Sequence, residues 1–252
     1  MVRSLRRAGQ GRSLPGRSGR DRPFEERRGG SEHGQQGRRD DATVAVAGLA
    51  AVGAVFATRP ERVEKLAFID EMKADAAPYC LALAKAHRPY KIVNEQELAR
   101  IAGTPMHGGI VAIAAPPVIA DFDPLDAGKW AAAGEPLLIL AGVGNPHNLG
   151  AIVRTAAFFG VPRVLLADLE RQALPSGASI RVAKGGMEHV ALFRTERLIG
   201  ALKRMPESYF VVAADVDGED ELPALQVPND KAVALILGNE EDGLTDEVIE
   251  HC

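Results

Sequence analysis

From Pro136 onward the chain alternates between two textures, short continuous apolar runs and longer stretches with helical spacing. "PLLILAGV", "RVLLAD", "HVALF", "YFVVAADV" and "KAVALILG" read as strands, while "LGAIVRTAAFFG", "GASIRVAKGG" and "TERLIGALKRM" read as helices between them. Strands that are apolar throughout and separated by helices predict a mainly parallel sheet covered on both faces. Nearer the start, from about Thr43 to Pro116, the pattern predicts a smaller α/β unit. Helix-like apolar spacing in "VAGLAAVGAVFATRPERVEKLAF" leads to a second helix, "APYCLALAKAHRPY", then to "KIVNEQELARIAG" and a β-rich run, "GGIVAIAAPP". The prolines and acids of residues 117–135 suit a linker with one short helix around Trp130.

Residues 1–42 stand apart. They hold eleven arginines, six acids and no lysine, so the remainder of a chain with a formal net charge of -4 is distinctly acidic. Rich in Gly, Arg and Ser and nearly free of large apolar side chains, this arm cannot bury enough surface to offset ordering entropy, and it is expected to be disordered. A flexible arginine-rich arm suits loose attachment to RNA or DNA. A solvated extension and a transit peptide are the alternatives, the latter opposed by glycines and prolines that interrupt any amphipathic helix.

Other classes are excluded or disfavoured. The apolar run from Val44 to Thr58 is too short to span a bilayer and is followed at once by Arg59 and Arg62, so no membrane association is expected. Cys80 and Cys252 offer neither a C-x-x-C pair nor a disulfide framework, and Cys80 is expected on the buried side of a helix. The six histidines are scattered without ligand-like spacing, so no metal site is expected. A soluble, cytoplasmic protein fits these features.

In open parallel sheets ligands gather beyond the carboxyl ends of the strands, which directs attention to the loops after "LLIL", "FVVAAD" and "ALILG". A dinucleotide fingerprint starting at Gly142 would need glycine at position 147, where His147 stands. The segment "NPHNLGAIVRTAAFFG" instead resembles the first motif of the SpoU branch of the SPOUT RNA methyltransferases, with Asn148, Gly150, Arg154, Thr155, Ala156 and Gly160 at that family's spacing. "LILGNEEDGLTDEVIEHC" looks like its second motif, carried by Gly238, Glu240, Gly243 and Leu244. "IRVAKGGMEHVALFRTERLIGALK" and the region from Val46 to Ile113 are also similar to the family, the latter to its substrate-binding domain.

The resemblance implies an α/β fold: a SPOUT-type, trefoil-knot, parallel-sheet methyltransferase domain over 136–252, incomplete at its C-terminus. It is preceded by a small α/β RNA substrate-binding domain over 43–116, a linker over 117–135 and the basic arm. It implies S-adenosylmethionine as methyl donor, the ribose 2′-hydroxyl of tRNA or rRNA as acceptor, and a homodimer. The family's third motif, a strand and then a Ser-Leu-Asn run opening the last helix, is expected shortly after Cys252. By the resemblance that tail threads the knot and closes one side of the cofactor pocket, so the sequence reads as a fragment, as the product of a broken frame or as a non-catalytic RNA-binding relic.

The resemblance places Arg154 beside the reacting ribose, holding phosphate or assisting deprotonation, against the alternative of an ordinary surface arginine. Asn148 orients the catalytic loop or caps the helix expected to start near Leu149. Glu240 braces that loop or is one more solvated acid in "NEED". For cofactor binding, Gly238 and the adjoining Leu237 end a strand, where a missing Cβ would permit close approach of an adenine or ribose; a plain strand-ending glycine is the alternative. Ala213 and Ala214 are expected to open a third wall, judged from small side chains beside a strand end. His107 is a possible RNA contact or a turn histidine, and Thr245 is expected to cap the final helix with Asp246 and Glu247 in its first turn. Deleting residues 1–42 is expected to weaken RNA affinity mainly at low salt and to flatten its salt dependence. Filter binding from about 50 to 200 mM salt checks this, and an unchanged slope would make the arm irrelevant to RNA.

Overall fold

In the computed structural model, residues 43–167, 170–205, 209–216, 218 and 224–252 are described, and they carry two sheets. The disorder expected of 1–42 concerns residues outside this set. The first sheet is built from β1 (Val44–Ala47), α1 (Leu49–Thr58), β2 (Val63–Phe68), α2 (Lys73–Lys85), β3 (Tyr90–Ile92), α3 (Glu95–Ala102) and β4 (Ile110–Ala114). Its order is β1-β4-β2-β3, with β4 antiparallel to both neighbours and β2 parallel to β3. The span 46–68, helix-like in spacing throughout, is helical only in its middle. Gly48, at φ 93°, turns the chain out of β1, and Pro60 follows the end of α1, so the flanks are free to pair as strands. Helix α3 has local signals at both ends: the Asn94 side chain accepts from the Glu97 amide at 2.8 Å, and Gly103 closes the helix at φ 67°. Cys80 is half-buried in α2, and burial pushes its thiol upward.

The second sheet comprises β5 (Ile119–Asp121), α4 (Pro124–Ala132), β6 (Leu137–Ala141), α5 (Pro146–Phe158), β7 (Arg163–Ala167), α6 (Gly177–Ala183), β8 (Ala191–Thr195), α7 (Leu198–Leu202), β9 (Tyr209–Ala214), β10 (Ala232–Leu237) and α8 (Asp246–Ile249). Its order is β5-β8-β7-β6-β10-β9, and every pair is parallel. Residues 117–135, expected as a linker with one short helix, supply that helix and also the edge strand β5, which pairs with β8. Thr245 caps α8, its hydroxyl accepting from the Val248 amide. Among the described residues no helix is long and apolar enough to cross a membrane.

Strand alternation divides the core. Val164 and Leu166 of β7 face α5 and α6, while Leu165 and Ala167 join Leu137, Ile139, Ala234 and Ile236 against α4, α7 and α8. The α5-side cluster does not stop at the second sheet. It continues through Val46, Val52, Val55 and Leu66 of the first sheet's unit, so the two units share one apolar core. Where β6 and β10 pass α5, that face holds an open apolar cavity of about 460 Å³ lined by Leu138, Ile152, Phe159, Val233, Leu235 and Leu237.

Helix α5 lies unusually close to α6. A Cβ at Gly150 would come within 2.4 Å of the Ser179 carbonyl oxygen and 2.9 Å of the Val182 Cβ. Gly150→Ala is therefore expected to push the helices apart and destabilise the fold by about 1–3 kcal/mol, as overpacking does. Denaturant unfolding measures it, and an unchanged midpoint would refute the close approach.

Candidate functional site

The site is assembled from three loops beyond the carboxyl ends of β6, β7 and β10. The first, 142–145, leaves β6 through Gly142 at φ 80° and enters α5 at Asn145. Asn145 is the N-cap, its side chain accepting from the His147 amide at 2.8 Å, with Pro146 at the first helical position. Asn148, expected as a cap near Leu149, is thus already inside the helix, and its amide is free for another task. It donates to Glu240 Oε1 at 2.7 Å, and the Gly144 amide reaches Glu240 Oε2 at 3.3 Å. Glu240 therefore joins the two segments that the sequence singled out.

Two further side chains hold the same loop. Gln172, buried, accepts from the Val143 amide and donates to the Val143 carbonyl, both at 3.0 Å. Asn239 donates to the Gly142 carbonyl at 2.7 Å, while its own oxygen accepts from the Glu241 and Asp242 amides and shapes the turn 239–243. Arg171 pairs with Asp242 across the mouth of the site. Neither Gln172 nor Asn239 was legible as a brace, because an isolated amide in a loop has no periodicity. The Asn145-Pro146 pair did carry a signal, that of a cap before proline.

The remaining expected residues fall nearby but not together. Arg154 is exposed on α5, six residues beyond Asn148 and so about 9 Å further along the axis, and forms no ion pair or hydrogen bond among the described residues. Gly238 follows β10, but the space its missing Cβ leaves is taken by the chain itself. A Cβ there would lie 2.4 Å from the Gly243 carbonyl carbon and 2.8 Å from the Leu244 amide, so the glycine is required by the turn. Leu237 pairs in register with Leu140 and with Ala214, and Ile236 with Ala213, which aligns the ends of β6, β10 and β9. The Leu237 side chain lines the apolar cavity beside α5, leaving its main chain at the strand end. Ala214 is exposed and Ala213 half-buried. His107 is buried in its turn, Nδ1 accepting from the Gly109 amide and Nε2 lying 3.1 Å from Glu95.

Residues 135–252 match the SpoU rRNA Methylase family, and residues 45–119 match the RNA 2′-O ribose methyltransferase substrate-binding family. The chain is 31% identical over 204 residues to an uncharacterized tRNA/rRNA methyltransferase, YfiF, of Escherichia coli O157:H7, covering 80% of this chain and 57% of that protein. It thus spans little more than half the length of that relative. It is 30% identical over 206 residues to the 23S rRNA (guanosine-2′-O-)-methyltransferase RlmB of Acinetobacter baylyi, covering 78% and 80% of the two chains. Among solved structures, the AdoMet-bound rRNA methyltransferase from Sinorhizobium meliloti superposes with a TM-score of 0.60 at 22% identity, covering 82% of this chain and 75% of that one. Fold and loop cluster together define an α/β protein of the SPOUT methyltransferase type with a substrate-binding unit attached. Within that class, the chain belongs to the SpoU rRNA methylase family.

Burial alone would raise the Glu240 carboxyl, but the Asn148 amide and the backbone amides of Gly144 and Asn145 outweigh it and hold the group below the ordinary glutamate value. A depressed folded value means that the stabilisation this carboxylate gives is present above the ordinary glutamate range and is lost as pH falls through the folded value. In Asn148→Ala the Glu240 midpoint is expected to move up toward the ordinary value, with the loop loosening at higher pH than in the parent. Carboxyl NMR titration, read alongside the Gly144 amide signal, checks this; an unmoved midpoint would show that Asn148 does not sustain the bridge.

Proposed function

We propose that this protein transfers a methyl group from S-adenosylmethionine to a ribose 2′-hydroxyl of tRNA or rRNA. The observation that carries the reading is the Glu240 bridge, which ties the loop opening α5 to the loop after β10 while leaving the Arg154 guanidinium uncommitted. The relatives' names, methyltransferases of tRNA or rRNA and of 23S rRNA guanosine 2′-oxygens, support the same substrate class. In this reading residues 43–116 grip RNA, 136–252 perform the chemistry, 117–135 connect them and the basic arm adds phosphate contacts.

The strand ends fit the donor. Small residues gather where β6, β10 and β9 end in register: Gly144 and Ala214 are exposed, and Ala141, Ala213 and Gly238 half-buried. Gly238 and Leu237, through their main chain, and Ala213 and Ala214 are the residues assigned to hold it. Bound there, S-adenosylmethionine supplies a methyl group already activated by its sulfonium. The chain's own task is then alignment, because a ribose hydroxyl is a weak acid and an in-line displacement demands close positioning. Glu240 and Asn148 fix the loop. Arg154 forks onto the neighbouring phosphate or assists deprotonation by stabilising the developing alkoxide, the proton passing to solvent water.

The finer family features belong to the same proposal. The trefoil knot is supported by the likeness of fold to solved methyltransferases. A homodimer through the second unit is supported by the apolar cavity beside α5 and by Phe158 and Phe159, 82% and 73% exposed at its edge. The cytoplasm, where tRNA and rRNA are processed, suits such an activity.

Calorimetric titration of S-adenosylmethionine, followed by transfer of labelled methyl to unmodified tRNA and rRNA transcripts, tests the reading. Arg154→Ala is expected to lower transfer by roughly a hundredfold or more while cofactor affinity and fold are kept. Transfer that survives in the variant would remove Arg154 from the mechanism. RNA binding without donor binding in the parent would replace the enzyme reading with a non-catalytic RNA-binding one.

A further inference from the structure

The seam between the two units contains an ion pair that the proposed chemistry does not use. Arg62 ends the 3-10 turn Pro60–Arg62 ahead of β2, and Glu188 ends the turn Gly186–Glu188 between α6 and β8. Arg62 Nη1 donates to Glu188 Oε2 at 2.5 Å, while Nε and Nη2 both donate to the Ala115 carbonyl, at 3.0 and 2.8 Å. The two side chains are only 8% and 2% exposed, so neither is a solvated surface charge. Glu188 Oε1 is buried with no hydrogen-bond partner in the protein. Buried pairs of this kind are often no more stabilising than apolar residues of the same volume. What apolar residues cannot reproduce is the direction set by a guanidinium fork.

The direction leads to the site. At Gly185 a Cβ would lie 2.7 Å from the Ala54 Cβ and 3.1 Å from the Ala50 carbonyl oxygen, both on α1 of the first unit. One residue later, at Gly186, a Cβ would lie 3.0 Å from the Arg154 Cα and 3.3 Å from the Ala157 Cβ on α5. The turn carrying Glu188 is thus pressed between the helix of one unit and the Arg154 segment of the other. Anything that fixes this turn fixes the backbone of Arg154.

We propose that Arg62 and Glu188 are positioning residues for methyl transfer. Together they hold the RNA-gripping unit at one orientation on the methylase unit and set where Arg154 stands relative to RNA held by the first. This rests on the methyltransferase reading given above. The couple acts on the alignment of bound substrate, not on the binding of either substrate.

The test uses the full chain with Arg62→Lys, which keeps the charge but loses the fork, and Glu188→Gln, which keeps the shape. The double variant Arg62→Met/Glu188→Leu guards against a fold that fails with one charge left buried. Affinities for S-adenosylmethionine and for an unmodified rRNA transcript are expected to stay within about twofold, while kcat falls roughly tenfold or more, as misalignment would cause. Amides of α5 are expected to exchange faster with solvent, and the double variant to be no slower than Arg62→Lys, since the two residues act as one unit. Unchanged kcat and α5 exchange would overturn the proposal, as would a loss of RNA affinity with kcat retained. Should the parent transfer no methyl group, the methyltransferase reading fails by itself. In that case α5 exchange in the variants decides whether the coupling to the Arg154 segment stands or falls.

Discussion

Helix α5 has to satisfy two constraints at once, and the rest of the site follows from how it does so. Its flank is pressed onto α6 and onto the turn at Gly186, at separations that leave no room for a Cβ at position 150 and little at position 186. Its first turn must meanwhile bring Asn148 within reach of a glutamate that belongs to another loop. A helix is a rigid rod over such lengths, so the contacts at its flank determine the aim of its first turn. Asn145 and Pro146 set the point of entry, and the glycines set the lie. With both fixed, Asn148 stands within hydrogen-bond reach of Glu240.

Much of this was written in the sequence, though unevenly. Strands β6 and β10 are apolar at every position, and β7 is apolar after Arg163, which gives an unmistakable run for a sheet flanked by helices. Strand β1 was hidden because alanine and valine alternate there with no polar residue to mark a face, and β2 because its two polar residues, Glu64 and Lys65, are adjacent and break the strand period. Strand β5 is three residues long among prolines and acids, and only pairing with β8 makes it a strand. Gly238 reads in the sequence as a point of close approach for an adenine or ribose, with a plain strand-ending glycine as the alternative; the group that approaches is the main chain of its own turn. Asn148 reads as a cap or a loop-orienting residue; the capping duty falls to Asn145 three residues earlier, and Asn148 bonds Glu240. Gln172 and the Arg62–Glu188 pair owe their roles to burial by distant segments, and local pattern carries no trace of that.

The charge distribution bears on how an acidic protein would take hold of a polyanion. Acids outnumber basic residues beyond the arm, so the general field of residues 43–252 opposes RNA. If the proposed RNA reading holds, attraction would have to be local, from the arginine-rich residues of 1–42 and from single cations presented without competing acids. Glu240 would be such a competitor if it were loose, since its carboxyl remains ionised at neutral pH. Held by Asn148 and by the loop amides, its charge is directed into the protein's own donors.

The same logic sets Arg154 apart from the side chains that brace the loop. Gln172 and Asn239 are committed to the loop backbone, Asn148 to Glu240, and Arg171 to Asp242. Each of these contacts fixes geometry. Arg154 differs in having its helix position fixed tightly, through Gly186, while its guanidinium is free of partners among the described residues. A rigid stem with an uncommitted head is what preorganised recognition of an anion requires, because little main-chain entropy remains to be lost when the anion arrives. In the proposed reading, the confinement of the Arg154 Cα by the turn at Gly186 serves that recognition.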